Sequence, residues 1–442
     1  MARLNKIFRS VAVAVLAAAA CACMSDYDFE SEFVVSGSPN RGTSMGGREV
    51  NQDGRNVLLL YSAGFNDISS FLEADIEELK SGWLPGKNRT DGVLLVYSHK
   101  LARRGIYSHK NSPVLFRLSK DMSGNIVSDT LKVYDVDTSS VSATHLGDVL
   151  SYVKEEFPAK SYGMIFSSHA TGYLPEGFYN NSGKYQYGDG SIVLLGHSDP
   201  FVDPYAHLVK SIGQHRTVSS SREMELADFA KAIPFKMDYI LFDACLMGGV
   251  EVAYELKDKC DLVGFSPAEV LVDGLDYTKL TTHLLKDETP DVAGVCEDYF
   301  SQYDNKTDPD DRSATISLVD CTKLDPLADV CAELFEKYRY QIGTLDYNSV
   351  QPYFRYSYHW FYDILDILIE AGASGNEVSR MEDALNECIV YKAATPEFMP
   401  SYGGFNVDVF SGLSMYLPAN GNRELDKFYK TLAWNIRTGL VQ

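Results

Sequence analysis

A chain of 442 residues with 45% hydrophobic side chains has enough apolar material for one large or two modest domains, which excludes a mainly disordered protein. Its formal net charge of −21 makes a surface that repels nucleic acid and attracts cationic partners.

The N-terminus reads as an export segment. Arg3, Lys6 and Arg9 precede an apolar run from Val11 to Ala20 that is too short for an ordinary membrane span. Residues 1–20 are therefore expected to be a signal peptide, whose removal takes the net charge from −21 to −24 through loss of those three cations. Ala18-Ala19-Ala20 before Cys21 resembles the processing site of a bacterial lipoprotein, with Cys21 as the lipidated residue and Cys23 as a second candidate. Plain cleavage without a lipid is the alternative. Residues 21–55 are acidic at first and then rich in Gly, Ser and Asn, without apolar periodicity, and read as a flexible tether. The acidic stretch behind the cysteine is similar to sorting signals of surface-exposed lipoproteins. The expected location is the outer membrane, with periplasmic or secreted protein as the alternatives.

From Val57 onward, short apolar runs alternate with helical patterns. The strand-like runs are "NVLLLYSAG", "DGVLLVYS", "SPVLFRLS", "YGMIFSSH", "YILFDAC", "CDLVGFS" and "SATISLVDC". Helical spacing appears near 68–80, 144–157, 225–232, 248–258 and 290–304. This alternation predicts an α/β sandwich around a mainly parallel sheet over residues 56–320. Residues 173–224 are rich in Gly, Ser, Asn and Pro, and are expected to form an insertion loop. Beyond Cys321 the pattern turns mostly helical, near 323–340, 357–371, 376–392 and 422–438, with one strand-like run at "SGLSMYLP". Residues 321–442 are thus expected to be a mostly helical accessory region packed on the core.

Six cysteines follow the first two, at positions 245, 260, 296, 321, 331 and 388. None makes a CxxC pair or a close Cys/His cluster, so zinc ligation is not expected. Cys245 stands apart because it follows the apolar run Tyr239 to Phe242 and precedes Gly248-Gly249 and a helical pattern. It falls at the C-terminal end of a strand, the edge where open α/β sheets bind ligands. A quiet core cysteine is the competing reading of the same residues. His169 follows Met164-Ile165-Phe166 and occupies the same kind of position. If the two strands are neighbours, a thiol nucleophile and an imidazole acid emerge together, and amide cleavage needs that pair.

Around these residues the chain resembles the clostripain family of cysteine peptidases, whose clan has the caspase-like α/β/α fold. "LLLYSAGFNDISSFLEADIEELK" is similar to the family's first strand and helix, "MIFSSHATGYLP" to its histidine block, and "YILFDACLMGGVEVAYELKDKCDLVGFSPAEVLVDG" to its cysteine block. "FRYSYHWFYDILDIL" resembles a downstream helix. The resemblance covers about residues 56 to 420. It implies a His169/Cys245 dyad, an oxyanion held by the backbone N–H groups of Cys245 and Ala170, and a pocket for basic side chains built from Asp243 and Asp273. Where the family commonly has glycine after the histidine, this chain has Ala170. Cleavage after Arg, and after Lys, in protein or peptide substrates is the implied activity. Self-cleavage between the two blocks is known in part of the family, and Lys184, Lys210, Arg216 and Arg222 lie there; Lys184, Arg216 and Arg222 are the expected sites. A segment that only shapes substrate access and is never cut is the alternative.

The competing function is a surface binding lipoprotein that keeps the fold without turnover, for which Ala170 and the long insertion speak. A serine hydrolase is not expected, since the G-x-S-x-G match at Gly42-Thr43-Ser44-Met45-Gly46 falls in the tether, without the strand before it and the helix after it that a nucleophile elbow needs. No Gly-rich phosphate loop or EF-hand-like loop is present, so no cofactor is expected, and the sequence leaves a calcium requirement and the oligomeric state open. Membrane contact is expected through the lipid alone.

Overall fold

The computed structural model describes residues 56–87, 92–104, 107–109, 111–178, 212–216, 221–355, 360–420 and 422–442. These form one compact unit around a nine-stranded sheet. Its strands in chain order are β1 (Asn56–Gly64), β2 (Gly92–Lys100), β3 (Val114–Lys120), β4 (Ile126–Val133), β5 (Ser161–Ser167), β6 (Met237–Asp243), β7 (Cys260–Phe265), β8 (Thr315–Asp320) and β9 (Ile389–Ala394). They lie in the order β9-β8-β7-β6-β5-β1-β2-β3-β4.

The five central strands, β7 to β2, run parallel. Every residue of β1 and β5 is buried, as a strand covered on both faces requires. The outer strands β3, β4, β8 and β9 run antiparallel. The predicted α/β sandwich with a largely parallel sheet is the fold observed, with antiparallel flanks at both edges.

Helices α1 (Ser69–Ser81), α2 (Ala143–Glu156), α3 (Leu226–Ala232), α4 (Val250–Glu255), α5 (Tyr277–Leu285), α6 (Val292–Asp304) and α7 (Leu324–Ile342) accompany the sheet. In α2 the buried positions Leu146, Val149, Leu150 and Val153 give the 3–4 spacing of one apolar stripe, and Ser142 caps the helix by accepting from the His145 N–H. Of the helix expected over 357–371, residues 357–359 lie outside the described residues, and helix α8 covers Ile364–Glu370, started by Asp363, whose side chain accepts from the N–H groups of Leu365 and Asp366. Helix α9 (Gly375–Cys388) opens on a Ser374/Glu377 capping box.

The helix expected over 376–392 ends at Cys388, and Ile389–Ala394 leave it as β9, which pairs with β8. Ile389, Val390 and Tyr391 are β-branched or aromatic and favour the extended chain. The C-terminal region is therefore woven into the core sheet as well as packed on it. The single helix expected over 422–438 is two, α10 (Arg423–Tyr429) and α11 (Ala433–Thr438).

The segment 173–224 is not loop throughout. Tyr173, Leu174 and Phe178 are buried in the core, and Ile212–Arg216 pairs with Ser221–Met224 as an antiparallel hairpin. Residues 179–211 and 217–220 lie outside the described residues. No helix among the described residues is long and apolar enough to cross a membrane.

Candidate active site

Strands β5 and β6 are parallel neighbours, with Ser167 opposite Asp243. His169 and Cys245 each lie two residues beyond those partners, so both leave the sheet at the same edge. The Ser168 N–H donates to the Asp243 carbonyl at 3.4 Å, tying the two exits together. One pocket is lined by Asp75, Ser168, His169, Asp243, Cys245 and Val270, among others.

The turn carrying Cys245 is held in an unusual backbone. Leu246 has φ 59°, a left-handed conformation that costs a bulky residue of the order of 1–3 kcal/mol. The Leu246 N–H donates to the Ala268 carbonyl and the Gly248 N–H to the Ser266 carbonyl, both at 2.8 Å, and these bonds fix the turn. The histidine loop packs directly on it: Gly172 has φ 57°, and a Cβ there would meet the Leu246 carbonyl oxygen at 2.4 Å. From the other side, the Gly213 N–H of the hairpin donates to the His169 carbonyl at 2.9 Å.

The Cys245 thiol is buried and faces Val270. It accepts from the Val270 N–H at 3.3 Å, and Sγ lies 3.7 Å from the Val270 carbonyl oxygen, to which the thiol can donate. Burial first, and then the Glu269 carboxylate, push the thiol up to about 12, so it is protonated at neutral pH. Glu269 is held by the Arg355 Nε–H at 2.6 Å in an ion pair buried on both sides. Between Cys245 and His169 there is no hydrogen bond. Instead His169 Nε2 lies 2.8 Å from Asp67 Oδ1. A carboxylate accepts and does not donate, so Nε2 carries the hydrogen and Nδ1 is left for proton exchange.

Asp67 does not emerge from the sequence as a site residue. Its signal is positional: β1 is the parallel neighbour of β5, and Asp67 follows its end at the same sheet edge. Ala170 is buried and lies outside the positive-φ region, so its methyl group adds no backbone strain where the family commonly has glycine.

Asp243 is buried and accepts from the Tyr277 hydroxyl at 2.7 Å and the Ser167 hydroxyl at 3.4 Å. Burial, only partly offset by these bonds, raises its carboxyl to about 6. Gly274 lies against it with φ 58°, and a Cβ there would stand 2.6 Å from Asp243 Oδ2. Asp273 is not brought to this pocket. Its half-exposed carboxylate is bound by Lys306 Nζ at 2.7 Å, and the second pocket carboxyl is Asp75, from α1. The sequence offers no cue for Asp75 beyond an acidic residue in an amphipathic helix.

Arg222 is exposed on the second strand of the hairpin and Arg216 ends the first. Lys184 and Cys21 lie outside the described residues. No cluster of three or more His, Cys, Asp or Glu side chains able to hold a metal ion occurs among the described residues.

The sequence profile of peptidase family C11, the clostripain family, matches residues 60–184 and 176–437. The chain belongs to the clostripain family. It is 21% identical to clostripain from Hathewaya histolytica over 446 aligned positions, covering 88% of this chain and 78% of that one. Its fold is similar to that of an inactive zymogen of a C11 protease from Parabacteroides distasonis, with a TM-score of 0.70, 25% identity, and coverage of 88% of this chain and 99% of that one. A secreted C11 cysteine protease from Bacteroides thetaiotaomicron gives 0.68 and 25%, over 87% and 99%. Membership of the family makes this chain a clostripain-like cysteine endopeptidase.

Proposed function

We propose that the protein cleaves peptide bonds after Arg, and after Lys, with Cys245 as nucleophile and His169 as proton donor and acceptor. The observation that carries this reading is that Cys245, His169 and Asp243 line one pocket where β5 and β6 end. A substrate chain entering there displaces Val270 from the sulfur. The thiol then passes its proton to His169 as Cys245 Sγ bonds to the scissile carbonyl carbon. Backbone N–H groups of Cys245 and Ala170 hold the oxyanion, and Nδ1 of His169 gives its proton to the leaving amine. Water then hydrolyses the thioester. Asp67 orients the imidazole throughout, and the Asp243 carboxylate gives the pocket the negative charge that selects a basic side chain. Digestion of an unstructured protein, with the new C-termini read by mass spectrometry, should return Arg and Lys at nearly all cut sites. Cuts spread over uncharged residues refute the specificity.

The same reading gives the chain an export signal over residues 1–20, an acyl anchor at Cys21 and a tether to residue 55. It also makes Lys184, Arg216 and Arg222 substrates of their own pocket, in a segment where nicking leaves both β5 and β6 intact. Mass spectrometry of protein made in a host with a lipoprotein pathway checks both expectations. Wild type should begin at acylated Cys21 and consist of two associated chains, whereas Cys245→Ala should be acylated and uncut. An unacylated N-terminus rejects the anchor, and a single active chain rejects self-processing.

A further inference from the structure

Two carboxyl groups line the pocket, and they differ in what already binds them. Asp243 has its acceptor positions engaged by the Tyr277 and Ser167 hydroxyls and by the Leu275 N–H. Asp75 projects from α1, is 6% exposed, lines the same pocket, and has no hydrogen-bond donor or cation among the described residues. A buried carboxyl without a partner is costly, and helix α1 would gain by an apolar residue there. The groups acting on it are acidic from every side: Glu78 on its own helix, Asp243 at the end of β6, Asp273 in the loop before α5, and the phenols Tyr277 of α5 and Tyr303 of α6. The lysines beside that loop are engaged elsewhere, Lys306 with Asp273 and Lys279 with Asp276 and Asp298.

We propose that Asp75 is a specificity residue of the pocket: it supplies the unoccupied acceptor to which the substrate's guanidinium or ammonium binds, while Asp243, already hydrogen-bonded, supplies a fixed field beside it. This rests on the proposed cleavage after basic residues. Burial, Asp243, Glu78 and Asp273 together raise the Asp75 carboxyl to about 9, so at neutral pH it enters the reaction protonated. A cationic side chain favours its ionised form, and binding releases that proton. An Arg side chain keeps its own charge throughout this range. Preference for Arg over its neutral isostere citrulline must therefore rise with pH as Asp75 ionises. Titration of the Cys245 thiol affects both substrates alike and cancels in the ratio.

The test compares kcat/KM for two fluorogenic peptides that differ only in Arg or citrulline before the scissile bond, in wild type, Asp75→Asn, Asp75→Ser and Asp243→Asn, from about pH 7.5, where Asp243 is already ionised, to about pH 10. In both Asp75 variants the Arg-to-citrulline ratio should fall about tenfold to a hundredfold, the worth of one charge-assisted contact, and lose its rise with pH, with citrulline turnover falling far less than Arg turnover. Because a side chain that is merely structural would lower both substrates together, a parallel loss overturns the proposal. So does an unchanged ratio. Should Asp243→Asn alone abolish the preference, specificity for basic residues stands and the role of Asp75 falls. A wild type that does not prefer Arg over citrulline removes both.

Discussion

Cys245→Ala and His169→Ala are each expected to abolish hydrolysis of Arg-containing peptides, with losses of at least about a thousandfold and no further loss in the double variant. In the proposed mechanism the two groups share one proton cycle, so removing either stops it. Neither change should unfold the protein. Cys245→Ala gives up two weak sulfur contacts to Val270, and His169→Ala removes one partner of an Asp67 carboxylate that already reaches solvent. Circular dichroism and thermal unfolding beside the kinetic assay separate these outcomes. Comparable turnover in either folded variant would remove the dyad.

Asp243→Asn should lower kcat/KM for Arg substrates about a hundredfold, the scale of a few kcal/mol of attraction between a buried carboxylate and a cation in the same pocket. Stability should move the other way. The Asp243 carboxyl is raised to about 6 in the fold, above its unfolded value, so its contribution to stability is full below the unfolded value and is lost as pH rises through about 6. At pH 7 the ionised group therefore lowers stability, and the neutral amide relieves that cost while still accepting from Tyr277 and Ser167. The expected pair of results is reduced specificity with an unfolding temperature at pH 7 that is equal or higher. An Arg preference that survives the change would move the pocket charge to another residue.

Much of this architecture is legible in the sequence because the central strands are continuous apolar runs, and such runs need no tertiary information to be recognised. "NVLLLYSAG" and "YGMIFSS" are of this kind, and both are buried throughout. The edges are harder. In "IVSDTLKV" of β4 exposed and half-buried residues alternate, with two Lys or Asp and two Ser or Thr among eight positions, so its pattern merges with a polar loop. The strand β9 was hidden for a different reason: Ile389 and Val390 continue the apolar spacing of α9, and only pairing with β8 decides where the helix stops. Helix α5 follows the "VLVDG" turn so closely that its periodicity spans only nine residues.

The site divides in the same way. His169, Cys245 and Asp243 are findable because each stands at the end of an apolar strand. Asp67, Asp75 and Val270 are ordinary loop or helix residues until the order of the strands is known. That order brings the end of β1 beside β5, and α1 beside the pocket. Asp273 shows the converse: a carboxylate in a suggestive motif that pairs with Lys306 and does not line the pocket.

The most direct test of the account is covalent labelling. Purified wild type is treated with a peptidyl acyloxymethyl ketone carrying Arg next to the warhead, and with its citrulline counterpart, and the adducts are located by peptide mapping. The account predicts a single adduct on Cys245 with the Arg reagent, little with the citrulline reagent, and none in Cys245→Ala. Equal labelling of Cys245→Ala, or reaction of Cys245 with both reagents at the same rate, would contradict it.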